Sequence, residues 1–241
     1  MSAVLDPPAV AAPDRVGRIR RLILELQPGD SAWLGGVSWD EYGRLMAFRD
    51  EARASVRLAY DGGRLAVMSV GGRHEAWKML IAQLLTAVAV GLRVPRVPVG
   101  SLAIRRESLQ KGVEPDDCYY VQRAAAMRLA YRRDLDFDTD PPPDLAVEVE
   151  MTRDAGGKLP LYAALRVPEV WRWDGQRLTF LHLTPAGEYA ERPASLAFPP
   201  LTRDLLASYL ARAEAEDDIT LFLELQAWAA ARTGTSAERA A

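Results

Sequence analysis

The stretch Pro141-Pro142-Pro143-Asp144-Leu145-Ala146-Val147-Glu148-Val149-Glu150 is a proline stop followed by a short, largely apolar run that carries two carboxylates. A run of this kind is expected at the centre of a sheet. Alternation along a strand sets Glu148 and Glu150 on one face, with Leu145, Val147 and Val149 on the other. Two carboxylates side by side repel each other and lose hydration unless a cation or protons neutralise them. Hard cations such as Mg²⁺ or Mn²⁺ take oxygen ligands and keep several waters, which suits such a pair. The plain alternative is that this face meets solvent, or that one glutamate pairs with an arginine. The strand by itself leaves the two readings about even.

Upstream, Glu114-Pro115-Asp116 precedes an apolar run, Asp117-Cys118-Tyr119-Tyr120-Val121. Proline restricts the backbone just before Asp116, so that an aspartate stands at the mouth of a second strand. An Asp on one strand and a Glu on another make the smallest cradle for one divalent metal. Downstream, Lys158 stands near the start of a helix entered at Pro160. An ammonium there opposes the helix dipole and adds nothing to local stability. It could position an attacking water or offset charge on a phosphate; the alternative is an exposed lysine at a helix start.

Further out, Ser38-Trp39-Asp40-Glu41 reads as a capping box opening a helix through about Arg49. Residues 55–60 and 64–69 flank Asp61-Gly62-Gly63 as a hairpin. Trp77, Leu80, Ile81, Leu84, Leu85 and Val88 recur at helical spacing between about His74 and Leu92. Val97 to Arg105 reads as one strand, and residues 123–143 as a less regular insertion. Glu169 to Trp173 and Arg177 to Leu183 form another hairpin, and the tail from Arg203 is helical to about Ala215 and again from Ile219 to Ala231. The whole is an α/β chain, a mixed sheet flanked by helices. It divides into an N-terminal extension (1–36) with a disordered lead of about 14 residues, a main domain (37–200) and a C-terminal helical extension (201–241).

The 241 residues are 49% apolar and 26% charged, an ordinary globular balance. No apolar run reaches the roughly 18 residues that span a bilayer, and the N-terminus lacks the pattern of a secretion signal. One cysteine, Cys118, fits a reducing cytoplasm and, with two histidines, argues against a Cys/His zinc site. A net charge of −3 gives no global attraction to nucleic acid. Local patches exist at Arg15, Arg18, Arg20 and Arg21 and at Arg123, Arg128, Arg132 and Arg133. Only three of the 30 basic residues are lysines: Lys78, Lys111 and Lys158.

The order of these elements resembles the PD-(D/E)XK nuclease superfamily and, within it, the Uma family of restriction-type endonucleases. The resemblance runs through Tyr60-Asp61-Gly62-Gly63-Arg64-Leu65, His74-Glu75, the segments 114–121 and 141–149, Lys158-Leu159-Pro160-Leu161-Tyr162, and Val167-Pro168-Glu169-Val170-Trp171-Arg172. It covers about residues 37 to 200. It implies a restriction-endonuclease-like core with Asp116, Glu148 and the carbonyl of Val149 as ligands of Mg²⁺ or Mn²⁺. By the same resemblance Asp116, Glu148 and Lys158 are catalytic, and Glu75 matches an auxiliary acidic position. The standard motif has lysine two positions after Glu148. This chain has Glu150 there, and Lys158 occupies the place to which the family moves that lysine. Met151-Thr152-Arg153-Asp154-Ala155-Gly156-Gly157 replaces the family's usual serine-rich segment, and Val70-Gly71-Gly72 a proline-containing turn. The implied activity is DNA hydrolysis by a cytoplasmic homodimer. The rival expectation is a nucleic-acid-binding or regulatory module without turnover. A third possibility is an interaction protein in which the amphipathic tail forms a dimer interface, although packing of the tail on its own core is the default.

Overall fold

Capping, turn and proline signals place most of the boundaries. In the computed structural model, which describes residues 14–131, 133–151 and 155–237, helix α1 (Arg15–Glu25) leads to strand β1 (Ser31–Gly35) and helix α2 (Trp39–Ala52). The hairpin β2 (Val56–Asp61) and β3 (Arg64–Ser69) and the long helix α3 (Gly72–Leu92) come next. Short strands β4 (Val97–Pro98), β5 (Ile104–Arg106), β6 (Lys111–Val113) and β7 (Asp117–Tyr120) precede one helical turn, α4 (Ala124–Met127). Then come β8 (Leu145–Val149), α5 (Leu159–Ala164), β9 (Glu169–Trp173), β10 (Leu178–Leu183), β11 (Tyr189–Arg192), α6 (Arg203–Arg212) and α7 (Asp218–Ala237). The expected N-terminal lead up to residue 13, Arg132 of the second basic patch, and Thr152-Arg153-Asp154 lie outside the described residues.

The capping box is formed as read. The Ser38 hydroxyl accepts from Glu41 N at 3.2 Å and the Glu41 carboxylate accepts from Ser38 N at 2.8 Å. Trp39, Tyr42 and Tyr60 pack ring to ring behind it, Tyr42 and Tyr60 stacked at 5.0 Å.

The strands divide into two sheets. One is antiparallel throughout, in the order β1-β3-β2-β6-β5. The other runs β11-β10-β9-β8-β7-β4 and holds one parallel pair, β8 and β9. A parallel pair needs a crossover connection, and α5 supplies it. The single strand expected over Val97 to Arg105 is two strands in different sheets. Gly100 adopts a left-handed φ of 64° between them, so the chain leaves one sheet and enters the other.

β8 is buried along its whole length, which accounts for its apolar character. Leu145, Val147 and Val149 pack with Trp171, Phe180, α3 and the tail helices in one core cluster. Ala146 belongs to a second cluster, with Tyr162 and Leu161 of α5. Helix α3 is long and apolar enough to cross a membrane by length and composition alone. In this fold Ile81, Leu84, Leu85 and Val88 are buried in the core. Gly91 lets α7 approach so closely that a Cβ there would stand 2.5 Å from Ala229 Cβ. Leu221, Leu225 and Ala229 of α7 are fully buried, so the tail packs on its own core. At the other end α1 buries Ile19 and Ile23, and β1 pairs with β3 from Ser31 to Gly35.

Candidate active site

The site is assembled where the C-terminal end of β8 meets the start of β7, the start of α3 and the start of α5. Asp116 is tied to β8 twice: its N–H donates to Val147 O at 3.1 Å, and its Oδ2 accepts from Val149 N at 2.8 Å. Glu148 projects from β8 towards α5. Its Oε2 accepts from Lys158 Nζ at 2.8 Å, and its Oε1 accepts from the Tyr162 hydroxyl. Lys158 and Tyr162 are four residues apart, the spacing that brings side chains onto one face of a helical segment. Lys158 Nζ also reaches the Glu114 carbonyl at 3.4 Å. Lys158, for which an exposed helix start is the alternative reading, is only 6% exposed and is held between Glu148 of β8 and the Glu114 carbonyl.

His74, in the first turn of α3, completes the set. Its Nε2 lies 3.0 Å from Asp116 Oδ2, and its Nδ1 lies 3.3 Å from Glu75 Oε1. Asp116, Glu148, Val149, Lys158 and His74 all line one cleft of about 280 Å³. Glu75 is not among its lining residues. It pairs with Lys78 at 2.6 Å and bears on the cleft only through His74.

Protonation follows from this arrangement. Burial pushes the Glu148 carboxyl up to about 7; Lys158 pulls it down, while the neighbouring Asp116 charge pushes it further up. Burial raises Asp116 as well, but the hydrogen bond from His74 and the Lys158 charge outweigh it and bring Asp116 down to about 2. His74 and Lys158 lose basicity to burial and recover more from these carboxylates, so both are raised. Without a further cation, therefore, the cleft keeps Asp116 ionised and Glu148 partly protonated near neutral pH.

Two carboxylates of the sequence reading have other partners. Glu114 points away from the cleft: its Oε2 accepts from Arg49 at 2.6 Å and from Leu58 N at 2.7 Å, bracing α2 and β2. Glu150 accepts from Arg172 Nε at 2.9 Å and from a second guanidinium nitrogen, the arginine alternative left open by the sequence. Both arginine patches are partly taken up as well. Arg15 holds Glu41, Arg20 stacks on Phe48, Arg123 pairs with Asp144, and Arg133 pairs with Asp140.

A divalent ion fits the oxygen donors that remain. Asp116 Oδ1 accepts no hydrogen bond among the described residues, Glu148 carries the charge conflict a cation would relieve, and Val149 lines the cleft beside them. Among the described residues no three His, Cys, Asp or Glu side chains converge as a metal cluster. The cradle thus offers two carboxylates and leaves the other positions to water, as Mg²⁺ prefers. Sequence reasoning passed over Tyr162, Arg172 and the site role of His74. The signals available were the four-residue spacing of Tyr162 from Lys158 and the place of both Tyr162 and His74 in the family-like segments, neither of which assigns a role.

A model of the Uma2 family, described as "Putative restriction endonuclease", matches residues 39–211. Among solved structures, one described as "a putative nuclease belonging to DUF820 from Anabaena variabilis" is 15% identical. It covers 64% of this chain and 90% of its own, with a TM-score of 0.44. No curated protein matches.

Proposed function

The chain belongs to the Uma2 family of restriction-endonuclease-type proteins, and on that premise we propose that it is a Mg²⁺- or Mn²⁺-dependent endonuclease that hydrolyses DNA phosphodiester bonds. The observation that carries this reading is the meeting of Asp116, Glu148 and Lys158 in one cleft, with Lys158 Nζ 2.8 Å from Glu148. Asp116, Glu148 and the Val149 carbonyl would hold the ion. When bound, it lowers the pKa of a coordinated water and offsets charge on the phosphate.

The protein's own groups have separable roles. Lys158, protonated and fixed by Glu148 and the Glu114 carbonyl, presents a positive charge to a water or phosphate oxygen entering the cleft. Tyr162 holds Glu148 in one orientation by donating to Oε1. His74 and Val149 N hold Asp116 from two sides. Preorganisation of this kind favours charge that develops only during reaction. A homodimer in the cytoplasm is part of the same proposal, since cutting both strands of a duplex calls for two such clefts.

The test is cleavage of plasmid and linear DNA by the purified chain with Mg²⁺ or Mn²⁺. Asp116→Ala, Glu148→Ala and Lys158→Ala should each abolish cutting while the fold is retained. Equal cutting by a folded Lys158→Ala protein would overturn the mechanism. A chain that binds DNA but turns nothing over with either metal would instead be the non-catalytic module.

A further inference from the structure

Several arginines in the chain are engaged in ion pairs, but among the described residues three that line the clefts around the carboxylate site, Arg53, Arg57 and Arg73, are not. Arg57, on β2, has its Nε shut off from solvent with no hydrogen-bond partner. Arg57 and Arg53 make no side-chain hydrogen bond or ion pair among the described residues. Arg57 lines the carboxylate cleft and also a second, larger one of about 690 Å³, and Val70 and Gly71 are shared in the same way. The two clefts therefore adjoin, with Arg57, Val70 and Gly71 between them. The second is lined by Arg49, Arg53, Ser55 and Ser101 and by three carboxylates that are each already paired, Asp50 and Glu114 with Arg49 and Glu75 with Lys78. Arg49 is committed to Glu114 and Asp50, so Arg53 is the guanidinium left open there. Arg53 caps α2 in the left-handed conformation. The N-terminus of the 21-residue helix α3 reaches the same junction, and its N-cap, Gly71, makes no side-chain capping bond.

A guanidinium that is partly dehydrated and unpaired is poorly stabilised until an anion arrives, and its planar fork matches two oxygens of a phosphate. Uncapped amides at a helix start add a weaker pull of the same sign. We propose that the two clefts form one track for a sugar–phosphate backbone. The bond to be cut lies in the carboxylate cleft, Arg57 grips the adjoining phosphate at the junction, and Arg53 contacts the strand further along the second cleft. This rests on the reading of the first cleft as a phosphodiesterase site. It also explains how a chain with a net charge of −3 holds a polyanion: attraction is confined to a groove rather than spread over the surface.

The test is fluorescence anisotropy with labelled DNA and RNA oligonucleotides, single-stranded and duplex. The full chain is measured in Ca²⁺ over a range of salt concentrations, beside Arg57→Gln, Arg53→Gln, Arg57→Lys and the exposed control Arg192→Gln. Melting curves establish that each variant is folded. Arg57→Gln should weaken binding about 10-fold and lower the salt slope by about 0.7–0.9, the share of one phosphate contact. Arg53→Gln should give a smaller loss, Arg57→Lys should restore the slope but only part of the affinity, and Arg192→Gln should match the wild type. The DNA and RNA arms show which polymer the track takes. Binding by Arg57→Gln and Arg53→Gln equal to that of Arg192→Gln overturns the track, even if the wild type cuts DNA. Arg57-dependent binding by a chain that cuts nothing supports the track and removes the catalytic reading. No binding of any oligonucleotide removes the track.

Discussion

Tyr162→Phe isolates one hydrogen bond at the centre of the site. Tyr162 is fully buried, and its hydroxyl donates to Glu148 Oε1. The substitution removes one oxygen without opening a sizeable cavity. A hydrogen bond to a charged group contributes roughly 1.5–3 kcal/mol. Tyr162 acts to lower the Glu148 pKa, so its loss raises it. At 1.36 kcal/mol per pKa unit, Glu148 should move from about 7 to roughly 8–9. Metal binding requires the ionised carboxylate. At about pH 7.5 the ionised fraction then falls roughly 3- to 25-fold, and the apparent Mg²⁺ affinity falls with it. At about pH 9.5 the two proteins should agree to within roughly 1.5-fold, because Glu148 is then ionised in most molecules of both. Isothermal calorimetry with Mg²⁺ at the two pH values measures this directly. A folded Tyr162→Phe protein that binds Mg²⁺ as tightly as the wild type near neutrality would refute the reasoning. So would an equal deficit at both pH values.

Other outcomes follow from the partners of the remaining carboxylates. Glu114→Ala should cost about 2 kcal/mol of stability, because it leaves the buried Leu58 N–H without a partner and Arg49 with only Asp50 and the Val56 carbonyl, and thermal denaturation should show a drop in Tm of roughly 4–8 °C. Glu150→Gln weakens one pair with the half-buried Arg172 and should lose on the order of 1 kcal/mol, with DNA cleavage retained. The metal-free protein should lose stability as pH rises from about 4.5 through about 7. Glu148 binds its proton more tightly in the folded state, so its contribution is complete below the unfolded value and gone above the folded one. Melting temperature against pH should flatten in that window for Glu148→Gln. Asp116 has the opposite sign, and its contribution is lost only as pH falls from about 3.8 towards 2.

Elements with a strong local signal stand close to where the sequence sets them. The capping box, the Asp61-Gly62-Gly63 turn and the periodic helix at about His74 each encode a boundary in neighbouring residues. The edge strand β1 and the short β6 carry no such signal, because their conformation depends on pairing with β3 and β2, tens of residues away in sequence, and β11, although it follows β10 directly, is short and buries no residue fully. The break in the expected strand at Val97 to Arg105 was foreshadowed by Gly100, but glycine in a strand does not say which sheet the chain joins next. Asp116, Glu148 and Lys158 were legible as a set through the order of the elements and the family-like segments around them. Their partners were not, since the convergence of His74, Tyr162 and Arg172 is a property of two sheets and two helix starts meeting. For the same reason the partners of Glu114, which points away from the cleft, and of Glu150, which lines it, were not visible in the sequence, where the arginines that engage them, 65 and 22 positions away, could not be picked out.

The central claim is that Asp116 and Glu148 cradle a divalent ion beside Lys158. A crystal of the protein soaked in Mn²⁺ and measured at the manganese absorption edge tests it most directly. The account requires an anomalous peak between the Asp116 and Glu148 carboxylates, within reach of the Val149 carbonyl, with the Lys158 ammonium nearby. Manganese bound elsewhere, or none in this cleft in a protein that cuts DNA with Mn²⁺, would contradict it.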